Sequence, residues 1–134
     1  MSRYLVDTSV WIAGQSPKPT EKSLVLRRLI ESGAVACVTG VVIQELLQGT
    51  RDEMAFQKMA RLLATRPRME SVNAAQLPAE AALLYARCRW QGLTIRKAAD
   101  CAIARIAIEN DAILLHDDAD FIHIARIEPR LKLA

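Results

Sequence analysis

Acidic side chains recur in one kind of place along this chain. Asp7 ends the apolar run RYLVD at 3–7, Glu45 lies about a turn into VVIQELLQG, Asp100 opens DCAIARIAIEN, and Asp117, Asp118 and Asp120 follow AILL at 112–115. Four separate segments therefore carry carboxylates at the ends of apolar runs or at the starts of helical ones. Carboxylates gathered within a few ångströms repel one another, and relief comes from raised pKa values, cationic side chains or a bound cation. Arg105, a turn beyond Asp100, and His116, beside Asp117, are too few to neutralise four acids. Oxygen ligands without a Cys or His cluster suit Mg2+ or Mn2+ far better than zinc. Such an ion lowers the pKa of a bound water and stabilises charge building on a phosphorane-like transition state, so phosphodiester hydrolysis is the chemistry this pattern suits.

Each acid also has a plainer task. Asp7 can cap a short helix beginning near Ser9, Glu45 can be a solvated helix residue, and Asp100 can be a first-turn acid favoured by the helix dipole. Asp117, Asp118 and Asp120 share the turn-forming habit of Asp, so one or two of them are expected to shape the loop. His116, a lone histidine at a strand end, fits a hydrogen-bonded structural residue better than an acid–base catalyst. Trp11 lies in an apolar segment and should pack in the core or against a partner helix. Trp90 is free to stack on a base.

The elements that must position these residues follow from hydrophobic pattern and end signals. Residues 3–7 and 34–39 are expected as buried strands, joined by a helix that Thr20 caps and Gly33 follows, with Leu26, Leu29 and Ile30 on one face. A right-handed crossover then makes the two strands parallel. After Gly40 comes a short helix closed by Gly49, then a helix capped by Asp52, carrying Ala55, Met59, Leu62 and Leu63 and ended by Pro67. A strand is expected at 69–72, then a helix opening near Asn73 that Pro78 would split or kink, with Ala81, Leu84, Tyr85 and Cys88 facing inward. A helix at 100–110, a strand at 112–115, a helix at 119–126 and an edge strand at 131–133 complete the series. Alternating strands and helices give an α/β fold, a sandwich on a mostly parallel sheet of four to five strands. Ligands bind such sheets beyond the carboxyl ends of the strands, the rim where the acids fall.

Composition agrees with one domain over 1–134: 134 residues, 51% hydrophobic, 25% charged, five glycines and five prolines. Disorder, collagen-like repeats and a multidomain plan are excluded. The formal charge of +3 conceals an asymmetry, since residues 51–97 hold nine basic and four acidic side chains and residues 100–120 one basic and six acidic. Cys37, Cys88 and Cys101 form no CxxC or Cys/His spacing, and no run is long enough to span a bilayer or forms a signal sequence, so a soluble cytoplasmic protein is expected. Arg96 and Lys97, just before Asp100, are candidates for holding a phosphate near the metal, with Arg87 and Arg89 further out.

Four blocks, LVDTSVWI at 5–12, VVIQELLQG at 41–49, TIRKAADCAIARIAI at 94–108 and AILLHDDADF at 112–121, resemble those of PIN-domain ribonucleases, and within them VapC-type toxins of bacterial toxin–antitoxin (VapBC) pairs. The resemblance implies a PIN-like three-layer sandwich and an Mg2+- or Mn2+-dependent endoribonuclease. Carried over by position, its acidic set falls on Asp7, Glu45, Asp100 and Asp118, with Asp7, Asp100 and Asp118 on the metal. Asp120 and Asp117 are auxiliary, and Ser9 takes the hydroxyl position that supports the first aspartate. His116 departs from the commoner Thr. The likeness further implies a small VapB-type antitoxin whose tail covers the acidic groove, a homodimer, and structured RNA such as transfer RNA or a ribosomal RNA loop as substrate. Two other readings stand beside it: a phosphoacceptor domain of receiver type, which needs a Lys at the end of a late strand that AILLHDDADF lacks, and a catalytically silent PIN-like RNA-binding module.

Overall fold

Short apolar runs with no polar face can be satisfied only inside a sheet covered on both sides. In the computed structural model, which describes residues 2–134, three such runs contribute β1 (Arg3–Val6), β2 (Val35–Cys37) and β3 (Ile113–Leu115), and a two-residue edge strand follows, β4 (Lys132–Leu133). All pair in parallel, in the order β2-β1-β3-β4. Tyr4 of β1 stands opposite Ala36 of β2 and Ile113 of β3, so the carboxyl ends of the three strands lie side by side. Leu5, Val6, Leu114 and Leu115 are wholly buried.

Among the described residues seven helices flank the sheet: α1 (Thr8–Gln15), α2 (Glu21–Glu31), α3 (Gly40–Gln48), α4 (Glu53–Ala64), α5 (Leu77–Trp90), α6 (Ala99–Glu109) and α7 (Ala119–Ile127). They pack as two groups. In one, α1 lies on α2 and α3, and α3 on α4; in the other, α5, α6 and α7 pack on one another. Within α6, Ala104 and Ala107 are fully buried, the small side chains that let a helix approach a sheet closely. Thr20 caps α2 in a reciprocal box with Ser23, and Gly33, at φ 79°, leaves the helix in the left-handed conformation that a side chain would oppose.

Three expectations require correction. The segment 69–72 is not a strand: it reaches the sheet only through a single parallel bridge between Val38 and Arg68. Its polar groups are drawn elsewhere, for Ser71 Oγ and the Val72 N–H both donate to the Glu109 carboxylate and Glu70 turns towards α3. Pro78 does not kink a helix begun at Asn73. Helix α5 starts at Leu77, which leaves Pro78 in the first turn, where its missing N–H has no helical partner to lose. Ile30 and Leu62, expected inside, are 37% and 39% exposed. With Trp11, Leu24 and Leu26 they line a groove of about 540 Å3 between α1, α2 and α4.

Candidate metal centre

The aspartates reach the sheet rim by local rules. Asp7 follows β1 and caps α1, its Oδ2 accepting from the Ser9 N–H at 3.1 Å and from Ser9 Oγ at 2.5 Å. The same hydroxyl accepts from the Asp117 N–H at 3.0 Å, so Ser9 ties the end of β1 to the loop after β3. Asp118 caps α7, with Oδ1 accepting from the Asp120 N–H at 3.0 Å. Asp100 sits in the first turn of α6, where the helix dipole favours an acid, and is only 3% exposed. Glu45, half-buried, lies in the second turn of α3.

The position of α3 depends on a residue that the sequence pattern does not reveal. Thr39 precedes the helix but gives it no side-chain cap; its Oγ1 donates instead to Glu70 Oε1 at 2.6 Å, and the Gly40 N–H reaches the same carboxylate at 3.1 Å. A Cβ at Gly40 would stand 3.1 Å from Arg68 Nη2 and 3.2 Å from Glu70 Oε2, so the approach needs a glycine or a shift of those side chains. Burial opposes ionisation of Glu70, but hydrogen bonds from Thr39, Arg68 and Gly40 outweigh it and hold its carboxyl below the ordinary value. Glu70 is thus a cap supplied from thirty residues away. Glu70→Ala is expected to lower unfolding free energy by about 1–2 kcal/mol in urea titration, the usual worth of a cap. An unchanged midpoint would show that the Val38–Arg68 bridge alone holds this end of α3.

One oxygen each of Asp100, Asp118 and Asp120 lie within 4.8 Å of one another. Asp7 and Glu45 stand outside that trio but close enough for their charges to act on it. Burial pushes the Asp100 carboxyl up to about 7, helped by the charges of Asp7 and Asp118 and by Glu45, against the opposing pull of Lys97. Glu45 is raised too, by burial first and by Asp7 last, again against Lys97. Asp100 Oδ2 and Glu45 Oε1 are both buried without a hydrogen-bond partner. Buried carboxylate oxygens left bare are costly and rare. Two of them beside a trio of acids, with no thiolate or imidazole contributing, fit a hard divalent cation.

The cations are disposed differently from expectation. Arg96, expected to hold a phosphate, lies on the acids: Nη2 donates to Asp118 Oδ1 at 2.8 Å and Nε to Asp120 Oδ2 at 3.2 Å. Its backbone N–H also meets Asp120 Oδ2, at 2.9 Å, which brings the side chain back over the cluster. Arg87 is paired as well. It donates to the Ile127 carbonyl at 3.0 Å and to Glu128 at 3.4 Å, closing the end of α7. Lys97 and Arg89 are exposed and make no ion pair among the described residues. Arg105 is taken by Glu80 at 2.8 Å.

Asp117 contributes its main-chain N–H, and its side chain is exposed. Asp120, only 5% exposed, is the more deeply placed auxiliary acid. His116 is buried, accepts the Asp118 N–H at Nδ1 and tilts against Phe121 with ring centroids 5.3 Å apart. Burial pushes its pKa down, so it is neutral and orients the loop. Trp11 packs in the core with Nε1 donating to the Val6 carbonyl at 3.2 Å, whereas Trp90 is 66% exposed. The cysteines are free and buried, and no helix among the described residues is long and apolar enough to cross a membrane.

Comparison with known proteins places the chain in a family. The PIN domain model matches residues 4–127. The chain is 34% identical over 124 residues to ribonuclease VapC11 of Mycobacterium tuberculosis, covering 92% of each protein, and equally to the VapC ribonuclease Mb1587 of Mycobacterium bovis. Among solved structures it is similar in fold to VapBC2 from Rickettsia felis bound to a promoter DNA fragment (TM-score 0.73, 20% identity, 98% of this chain and 96% of that one). It is similar also to FitAcB from Neisseria gonorrhoeae (TM-score 0.68, 17% identity, 97% and 95%).

Proposed function

The chain belongs to the PIN-domain family, and on that premise we propose that it is a metal-dependent endoribonuclease toxin restrained by a small antitoxin. The observation that carries the reading is the buried acid cluster with two bare carboxylate oxygens, Asp100 Oδ2 and Glu45 Oε1. Asp7, Asp100 and Asp118 would hold the ion, Mg2+ or Mn2+, and Glu45 would help to position it or accept a proton from the attacking water. Once bound, such an ion lowers the pKa of water and offsets charge on the transferring phosphoryl group. The protein's own part is to fix the acids. Ser9 holds one oxygen of Asp7, the start of α7 holds one of Asp118, and Glu70 holds the helix that carries Glu45. Asp120 and Asp117 support the loop, and Lys97 and Arg89 are the cations left to meet an RNA backbone.

The substrate in this reading is structured RNA, a transfer RNA or ribosomal RNA loop, cut by a homodimer. Similarity to VapC ribonucleases favours this over a receiver-type phosphoacceptor, which would also need a Lys where β3 runs into His116. The purified protein is expected to cleave RNA only with a divalent cation, with activity lost in EDTA and restored by excess Mg2+. Cleavage that persists in EDTA would sink the reading. The antitoxin has two surfaces to cover: the acidic rim, and the apolar groove between α1, α2 and α4 where Leu24, Ile30 and Leu62 are exposed. An amphipathic helix fits the second.

A further inference from the structure

Four carboxylates of the cluster are tethered unequally. Asp7 has one oxygen held by Ser9. Asp118 has Oδ1 held by the start of α7 and by Arg96, and Asp120 has Oδ2 held by the backbone and side chain of Arg96. Asp100 has a buried oxygen, Oδ2, with no partner among the described residues. The cluster therefore has two sides. On one, towards Asp100, Asp7 and Glu45, buried oxygens remain bare; on the other, between Asp118 and Asp120, a guanidinium already spans two carboxylates.

We propose that Arg96 is a resident cation in place of a second metal ion, so that each chain binds one divalent cation, on the Asp100 side. The inference rests on the metal-site reading above and deepens it. A guanidinium placed this way carries a full positive charge that does not exchange with solvent ions, and its planar fork matches two carboxylate oxygens. The backbone N–H of the same residue is bonded to Asp120, so the main chain is held beside the carboxylates that the fork spans. Nε and one N–H of Nη2 are used on the acids, so two of the five guanidinium donors are committed to the cluster. Arg96 thereby supplies a fixed positive charge on the Asp118–Asp120 side of the cluster.

The test is to count Mn2+ bound per chain by calorimetry and by electron paramagnetic resonance of free Mn2+, at pH 8, for the unaltered protein, Arg96→Met and Arg96→Lys. One ion is expected for the unaltered protein. Two are expected for Arg96→Met, the second weaker, and one for Arg96→Lys, which restores the charge. The side chain of Arg96 is 70% exposed, so both variants should fold, which circular dichroism checks. Two ions in the unaltered protein, or one in Arg96→Met with unchanged affinity, would overturn the proposal while leaving the metal site standing. No bound ion in any of the three would overturn the metal-site reading and this inference together.

Discussion

Asp100→Asn should make the metal-free protein more stable while abolishing its RNA cleavage. Asp100 is 3% exposed, its Oδ2 has no partner, and burial together with Asp7, Asp118 and Glu45 pushes its carboxyl from an ordinary 3.8 up to about 7. Between those pH values the folded protein retains a proton that the unfolded chain has released. Stability from this group is therefore fully present below pH 4 and lost as pH rises through 7. The shift sets a ceiling of roughly 4 kcal/mol. Relaxation and shared titration among the neighbours reduce it, and on the order of 2 kcal/mol is expected above pH 7, or about 5–10 °C in melting temperature. An amide at this position carries no charge to repel, so the gain should appear at pH 8 and vanish near pH 4. Metal binding must displace the same proton, so affinity for Mn2+ should rise with pH and level off above about 7. A melting temperature that falls at pH 8 in Asp100→Asn, or an affinity flat from pH 5 to 8, would sink this account. The opposition between stability and function is what a site built to receive a cation should display.

Asp7, Asp100 and Asp118 were legible in the sequence because each is bound to an element end by short-range rules. An aspartate after a buried run caps the next helix, as Asp7 and Asp118 do, and such caps fall at the strand ends where a parallel sheet binds its ligands. Strands β1, β2 and β3 were legible for a similar reason, as short and mostly apolar runs. What sequence spacing did not convey is long-range polar pairing. Glu70 looked like part of a strand, yet its carboxylate serves Thr39 and Gly40, and the segment leaves the sheet as a result. Arg96 looked like a phosphate contact because it precedes Asp100, but its partners, Asp118 and Asp120, lie more than twenty residues on. Ile30 and Leu62 have the periodicity of core residues and face a groove instead. Periodicity reports that a face is apolar and does not say whether its cover belongs to the same chain.

Phe121→Ala should cost about 3–5 kcal/mol, the range for emptying a large aromatic site in a core. Phe121 is fully buried in the first turn of α7 and rests against His116, whose Nδ1 accepts the Asp118 N–H. Truncation therefore opens a cavity and also releases the ring that orients the Asp118 loop. For a chain of this size the melting temperature should fall by about 10–20 °C. An ion that binds only the folded protein restores about 2.7 kcal/mol at a hundred times its dissociation constant. Mn2+ should consequently recover much of the loss in Phe121→Ala, while Asp100→Asn, which has lost a ligand, should melt at the same temperature with or without Mn2+. The pair of variants separates the core from the site. A Phe121→Ala protein within about 1 kcal/mol of the original would mean that α7 is held by its caps and not by packing. Equal responses of the two variants to Mn2+ would mean that the ion binds away from Asp100.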